Sequence, residues 1–467
     1  MQPSQINISL PVISIQPSFP EVLQEIQDGV IPFDKFWVSC YKSGETSTHA
    51  KVLAELDETD RNLVLLKPVN EDGERDDDSV QIEGENGVST VGCTKMGIPS
   101  TRVLSSKQNY HDNERSTSTR PQRITGFDVA PDSSRFATGY LDGSVYLYPT
   151  SSYTSTSTSH LPQSIDVTNK KTISKPHLST VTSLKFFPSS RVLLCSGQDF
   201  SLSILPAGLP DDSGSPVSFG TRITPARTMR GHTRAVTGTG IIGVGRNIVS
   251  TSRDTMVKLW DVPSGEVITT LFAKGSIASM SLGDRTPIPP DGEVVTPPKS
   301  NDDREVSETK DKMVFCGLEN GSFQQFDLGF KKSVYISPSM GVSSISSMAY
   351  STASHLLATG TAAGIVTLYD TRSITTPLTS FSRMQAGVED LAFLPGGYDE
   401  PGEVNVAVAT SDGLPFVAGV IPEGPTVNAE LVGVDCDPVR HVLYRDCEGK
   451  RNVWTASDDG LVRRYVV

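Results

Sequence analysis

The stretch at 229–272, MRGHTRAVTGTGIIGVGRNIVSTSRDTMVKLWDVPSGEVITTLF, most constrains what this chain can fold into. It contains Gly231-His232, β-rich runs at 235–242 and 247–251, and a polar turn at Arg253-Asp254. A third run ends in Trp260-Asp261, and a fourth lies at 266–272. Short β-prone runs separated by turn formers predict strands, and here they predict one four-stranded unit.

The spacing from His232 through Asp254 to Trp260-Asp261 is that of a WD repeat, the unit from which β-propellers are built. His232, at the entry to the first strand, is expected to meet Asp254 in the turn, with a hydroxyl from Ser250 or Ser252 between His232 and Trp260. A buried polar group left without partners costs about 1 to 3 kcal/mol, so such residues come as a set. These five are therefore read as a structural link, and His232 is not read as a base.

Seven repeats of about 40 to 45 residues would occupy some 300 of the 467 residues, leaving an N-terminal region and several insertions. The expectation is an all-β chain, a seven-bladed WD40 β-propeller preceded by a small, mostly-β N-terminal domain. A hydrophobic share of 36%, 39 glycines and 7% aromatics suit a turn-rich β protein. No apolar run is long enough for a membrane helix, and MQPSQINISLPVISIQPSFP lacks the basic and apolar regions of a secretory signal. Cysteines 40, 93, 195, 316, 436 and 447 form no Cys-x-x-Cys pair, so neither a disulfide framework nor a metal site is expected. That usage suits the cytoplasm or nucleus. A net charge of −13 disfavours nucleic acid and favours a basic protein surface as partner.

The N-terminal domain is expected at 1–104, with a helix at 20–30 and strands at 36–41, 49–56, 62–66 and 88–93. Its acidic stretch 71–78, EDGERDDD, reads as a solvated loop. Residues 105–122 read as a flexible linker, and the propeller as 123–467 with exposed insertions at 150–175 and 283–312. The last repeat ends with its third strand, so its outer strand either comes from elsewhere or remains unpaired. Residues 101–105 are placed to supply it and to clasp the ring.

Four stretches carry a more specific resemblance: LVGVDCDPVRHV at 431–442, DDGLVRRYVV at 458–467, IIGVGRNIVSTSRDTMVKLWD at 241–261 and FWVSCYKSGE at 36–45. Together they resemble the proteasomal ATPase-associated factor family, WD-repeat chaperones for assembly of the 19S regulatory particle of the 26S proteasome. The likeness covers the N-terminal domain and the propeller; the insertions depart from it. It implies a non-catalytic protein, a monomer on its own, cytoplasmic and nuclear, that holds the C-terminal domain of one or two proteasomal ATPase subunits. No cofactor, nucleic acid or membrane is implied.

For such a partner the turns between second and third strands offer Asp142, Asp199, Glu319, Asp412, Asp458 and Asp459, an acidic rim in which Glu319, Asp412 and Asp458 are the preferred contacts. Arg253 and Arg463 could pair with partner acids. The plain alternative is that Asp simply suits turn geometry. A rival function is substrate receptor of a cullin-type ubiquitin ligase, since Leu368 to Arg372, LYDTR, resembles the Trp-Asp-x-Arg box with Tyr369 for Trp. Catalysis is not expected. Phosphate-loop, metalloprotease and nucleophile-elbow motifs are absent; Cys436, Asp437 and His441 lie close together in sequence and could form a nucleophile dyad, but a buried cysteine in a β core is the commoner reading.

Overall fold

The computed structural model describes residues 7–60, 63–70, 74–76, 79–85, 88–153, 159–209, 220–285, 297–300, 302–339, 341, 343–395, 402–447 and 449–467. Seven antiparallel sheets are built from the repeats, and each starts with one inner strand: Ile124–Val129, Val181–Phe186, Val236–Ile242, Ile277–Asp284, Ile345–Ser351, Val388–Pro395 and Val439–Cys447. Each of these strands packs beside the next, and the last packs beside the first, so the ring is closed. The chain is a WD40-type β-propeller.

Every inner strand carries a register shift at its second residue: Thr125, Thr182, Thr237, Ala278, Ser346, Glu389 and Arg440. A bulge leaves one residue unpaired and re-aims its side chain. All seven bulged residues line a central cavity of about 1050 Å³. Between the sheets lie apolar clusters such as Ile242, Val249, Leu259, Ile277, Val314 and Phe326, buried where the third sheet meets the fourth.

The N-terminal domain is a four-stranded sheet, Val12–Ile15, Phe33–Tyr41, Thr48–Leu56 and Val64–Val69, with the helix Phe19–Gln27 on one face. Helix residues Phe19, Val22, Leu23 and Ile26 pack with Phe36, Val38, Val52 and Ala54 of the sheet. Apolar residues three and four apart on the helix meet apolar residues two apart on the strands, so the periods alone set the buried faces. Of the acidic stretch 71–78, residues 71–73 and 77–78 lie outside the described residues.

Three N-terminal segments bind outer edges of consecutive sheets. Asn7–Ser9 runs parallel to Pro377–Ser382 of the fifth sheet. Ile98–Ser105 runs parallel to Thr426–Val432 of the sixth and continues into Val88–Cys93 and Gln81–Glu85. Gln108–His111 pairs antiparallel with Val462–Val466 of the seventh.

These pairings correct three expectations. Residues 101–105 do not close the last sheet; they extend the sixth, and the closing strand lies a few residues later, inside the presumed linker 105–122. The presumed loop 150–175 supplies two strands, Thr172–Ser174 as outer strand of the first sheet and Gln163–Asp166 beside Gln108–His111. Polar, hydroxyl-rich composition hid them because an outer strand needs backbone pairing more than apolar side chains. Within 283–312, residues 286–296 and 301 lie outside the described residues; Gly283, Asp284 and Lys312 belong to strands of the fourth sheet, and 304–306 returns to the third, where the buried Asn247 side chain donates to Arg304 O at 2.9 Å and accepts from Val306 N at 2.7 Å.

Candidate partner-binding face

The turns between second and third strands share one backbone form. In each of these turns one residue has φ between +69 and +83°: Gly143, Phe200, Thr255, Gly321, Gly364, Gly413 and Gly460, one per sheet. Glycine occupies this left-handed conformation without penalty, and at Gly143 a Cβ would also lie 2.2 Å from His177 O of the next sheet. Just before it, in six of the seven turns, an Asp or Asn side chain accepts the backbone N–H two residues on; the fifth sheet has Ala363 there. Asp142 takes Ser144 at 3.1 Å, Asp199 takes Ser201 at 3.3 Å, and Asp254 takes Met256 at 2.9 Å. Asn320, Asp412 and Asp459 do the same for Ser322, Leu414 and Leu461. One oxygen of each such carboxylate therefore serves its own turn.

In the third sheet the polar link is continuous. Trp260 Nε1 donates to Ser250 Oγ at 2.8 Å, Ser250 Oγ lies 2.7 Å from His232 Nε2, and His232 Nδ1 lies 2.8 Å from Asp254 Oδ2. Ser250 fills the position between His232 and Trp260; Ser252 instead donates to Arg234 O and accepts the Asp254 N–H. Burial lowers the His232 pKa below its ordinary 6.5 against the opposing pull of Asp254. A neutral ring that donates from Nδ1 and accepts at Nε2 satisfies the whole chain of bonds.

A depressed folded pKa means that the stability tied to this ring is present above about 6.5 and is lost as pH falls through the folded value. The expected result for His232→Ala is a loss of about 1 to 3 kcal/mol at neutral pH, with a shallower decline in stability on acidification from pH 6.5. Urea titrations of both proteins across that range check it, and an unchanged pH slope would assign the decline to other groups.

Asp199 is held in the same manner. His177 Nδ1 lies 2.9 Å from its Oδ1, and Leu178 N donates to its Oδ2 at 3.0 Å. Burial raises this carboxyl, but the bonds from His177, Leu178 and Ser201 outweigh it and leave the pKa well below the usual range. Asp199, read from sequence as a partner contact, is thus a link residue. The signal was the His177 to Asp199 spacing of 22, the same as His232 to Asp254.

Other candidates are engaged as well. Asp142 is paired with Arg115 at 3.0 Å, and Arg115 lies over the Tyr140 ring. Glu319 faces Arg253 at 3.5 Å, both about half exposed. Asp459 holds Arg463 at 2.5 Å, and that arginine is only 4% exposed and also donates to Ser457. This corrects the reading of Arg463 as a partner contact: it lies on a strand enclosed on both faces. Arg464 beside it is buried over Trp454. Arg372 is tied up by Asp370, to which it donates from Nε and Nη2.

What is left lies in one sector, between the sixth and seventh sheets. Asp412, Asp435 and Asp437 make no ion pair among the described residues, whereas Asp458 faces Arg123 at 3.6 Å and shares Arg440 with Glu389. Burial raises the Asp437 carboxyl, and Asp459, Asp458 and Asp435 push it further the same way. The Cys436 thiol is raised by burial and by Asp435, Asp437 and Asp412, the reverse of an activated nucleophile, and no hydrogen bond joins it to His441 among the described residues. Arg440 and Glu389 are the two charged members of the bulge ring, so this sector continues into the cavity mouth.

The family model for the WD domain, G-beta repeat, matches residues 114–148, 169–204 and 223–261. The match at 223–261 begins with Arg227–Arg230, which is the outer strand of the second sheet, and continues into three strands of the third. A repeat in sequence thereby straddles two sheets and ties them together. These three repeats and the closed ring make the chain a WD-repeat β-propeller protein, a class used as scaffolds for protein interaction. A search of curated proteins finds no match.

Proposed function

We propose that this chain is a non-catalytic chaperone for assembly of the regulatory particle base of the 26S proteasome, binding the C-terminal domain of one or two proteasomal ATPase subunits. One observation carries the reading. The stretch 431–442, one of the four that carry the family resemblance, supplies Asp435, Asp437 and Arg440 of the acidic sector.

Carboxylates held close to one another without compensating cations favour a basic partner, because its arrival relieves their mutual repulsion. The contact set is thereby narrowed from a rim around the whole face to Asp412, Asp435 and Asp437; Asp458 beside them is already paired with Arg440 and Arg123. A small helical domain bearing Lys or Arg on one face is the complementary shape and charge.

The test is pairwise binding of the purified chain to the isolated C-terminal domain of each proteasomal ATPase, at low and high salt. The expected result is selective binding, weakened by salt and by about tenfold in each of Asp412→Lys and Asp435→Lys. Absence of binding to all of them would remove the reading.

A further inference from the structure

The N-terminal sheet has one face against the helix Phe19–Gln27, while its other face is exposed around Phe33, Lys35, Trp37 and Lys51 and buried at Ser39 and Val69. On that other face the strand registers set three rows: Phe33 beside Glu55 and Leu65, Lys35 beside Leu53 and Lys67, Trp37 beside Lys51 and Val69. Phe33 is 58% exposed and Trp37 42%, whereas the other two tryptophans, Trp260 and Trp454, are fully buried. Lys67 pairs with Glu55. Lys35 and Lys51 are exposed and make no ion pair among the described residues.

Exposed aromatics on a central strand of a sheet, here Phe33 and Trp37 of Phe33–Tyr41, are not explained by edge protection, for which lysines are commonly used. Among the described residues no carboxylate is paired with Lys35 or Lys51, which leaves the strip with uncompensated positive charge. We propose that this strip docks a linear acidic segment of a partner protein, with carboxylates against Lys35 and Lys51 and aliphatic or aromatic side chains against Trp37, Phe33 and Leu53.

The dimensions favour a segment over a globular surface. From Phe33 to Trp37 the strip runs about 14 Å, and across three strands about 10 Å. That is a small part of the roughly 800 Å² each partner contributes to a standard interface between folded proteins. A phosphate backbone is disfavoured: two unpaired cations release few counterions, and the chain as a whole repels it. The strip has the opposite charge sign to the sector at the cavity mouth, so this inference stands independently of the chaperone reading.

The experiment titrates the full chain with a synthetic peptide of Glu, Leu and Phe, with its counterpart carrying Lys for Glu, and with oligouridine. Trp37 is the exposed tryptophan, so a change in emission on binding reports this face, and anisotropy of a labelled peptide serves for variants. Expected is binding of the acidic peptide alone, weakened by salt and at least about tenfold in Lys35→Glu/Lys51→Glu and in Trp37→Ala. Lys35→Gln/Lys51→Gln, with its thermal melt compared to the parent, separates loss of docking from loss of fold. Failure of the acidic peptide to bind, binding indifferent to these variants, or tighter binding of oligouridine would each overturn the proposal.

Discussion

Glu430→Ala is expected to destabilise the protein by about 3 to 5 kcal/mol, the cost of leaving a buried charge without its partner. Arg383 and Glu430 are 5% and 3% exposed, and Arg383 Nη2 donates to Glu430 Oε1 at 2.6 Å. Arg383 follows the outer strand of the fifth sheet, Glu430 lies on the outer strand of the sixth, and the same Oε1 accepts the Ile13 N–H of the N-terminal domain at 3.0 Å. One carboxylate therefore joins three parts of the fold. The Arg383 guanidinium also lies 4.4 Å over the Phe416 ring, a contact that offers no compensating negative charge once Glu430 is gone.

Burial raises the Glu430 carboxyl above its ordinary value against the pull of Arg383. A raised folded pKa means the group's contribution falls as pH rises through that value, so ionising this acid in place costs more than the pair returns. It follows that Arg383→Met/Glu430→Gln, which keeps an acceptor for Ile13 and removes both charges, should recover most of the loss. Urea unfolding of the two singles and the double gives the coupling directly. A double variant as unstable as the sum of the singles would refute the account.

The second large effect concerns closure. A chain beginning at residue 113 should fail to yield a soluble monomer, whereas one beginning at residue 98 should fold with the ring intact. Gln108–His111 is the strand that covers Val462–Val466, and without it that strand's backbone is an open edge prepared to pair with another molecule. Side chains add to the loss. Tyr110 is 2% exposed and packs against Phe136 and Trp454, joining the first and seventh sheets, and removing such a ring costs about 3 to 5 kcal/mol. Arg464 would also lose the Gln108 carboxamide, to which it donates at 3.1 Å. Size-exclusion chromatography and circular dichroism of the two truncations decide the matter; a monomeric, folded chain from 113 would show that the clasp is dispensable.

Much of the candidate site was legible because its chemistry is local. His232, Ser250, Asp254 and Trp260 lie within 28 residues of one another in one sheet, and their types and spacing prescribe their partners. Asp142, Asp412 and Asp459 announce turns through the glycine that follows each. What could not be read was which of these acids has charge to spare. Arg115 comes to Asp142 from 27 residues away and Arg440 to Asp458 from 18, and neither spacing carries a signature. Neither Asp435 nor Asp437 reads from sequence as a partner contact, because they sit in a connection after an outer strand, where no turn pattern marks them.

By itself, then, the sequence determined the repeating unit: strand alternation, turn geometry and the polar link, all settled by interactions within about 40 residues. Tertiary structure decided the seams. Asn7–Ser9 meets Pro377–Ser382, Ile98–Ser105 meets Thr426–Val432, and Gln108–His111 meets Val462–Val466, each across more than 300 residues of chain. Two of these pairings are parallel, so no tight turn announces them, and pairing through backbone groups places little demand on side-chain type. The free edges left by the repeats chose their partners only once the ring existed to present them.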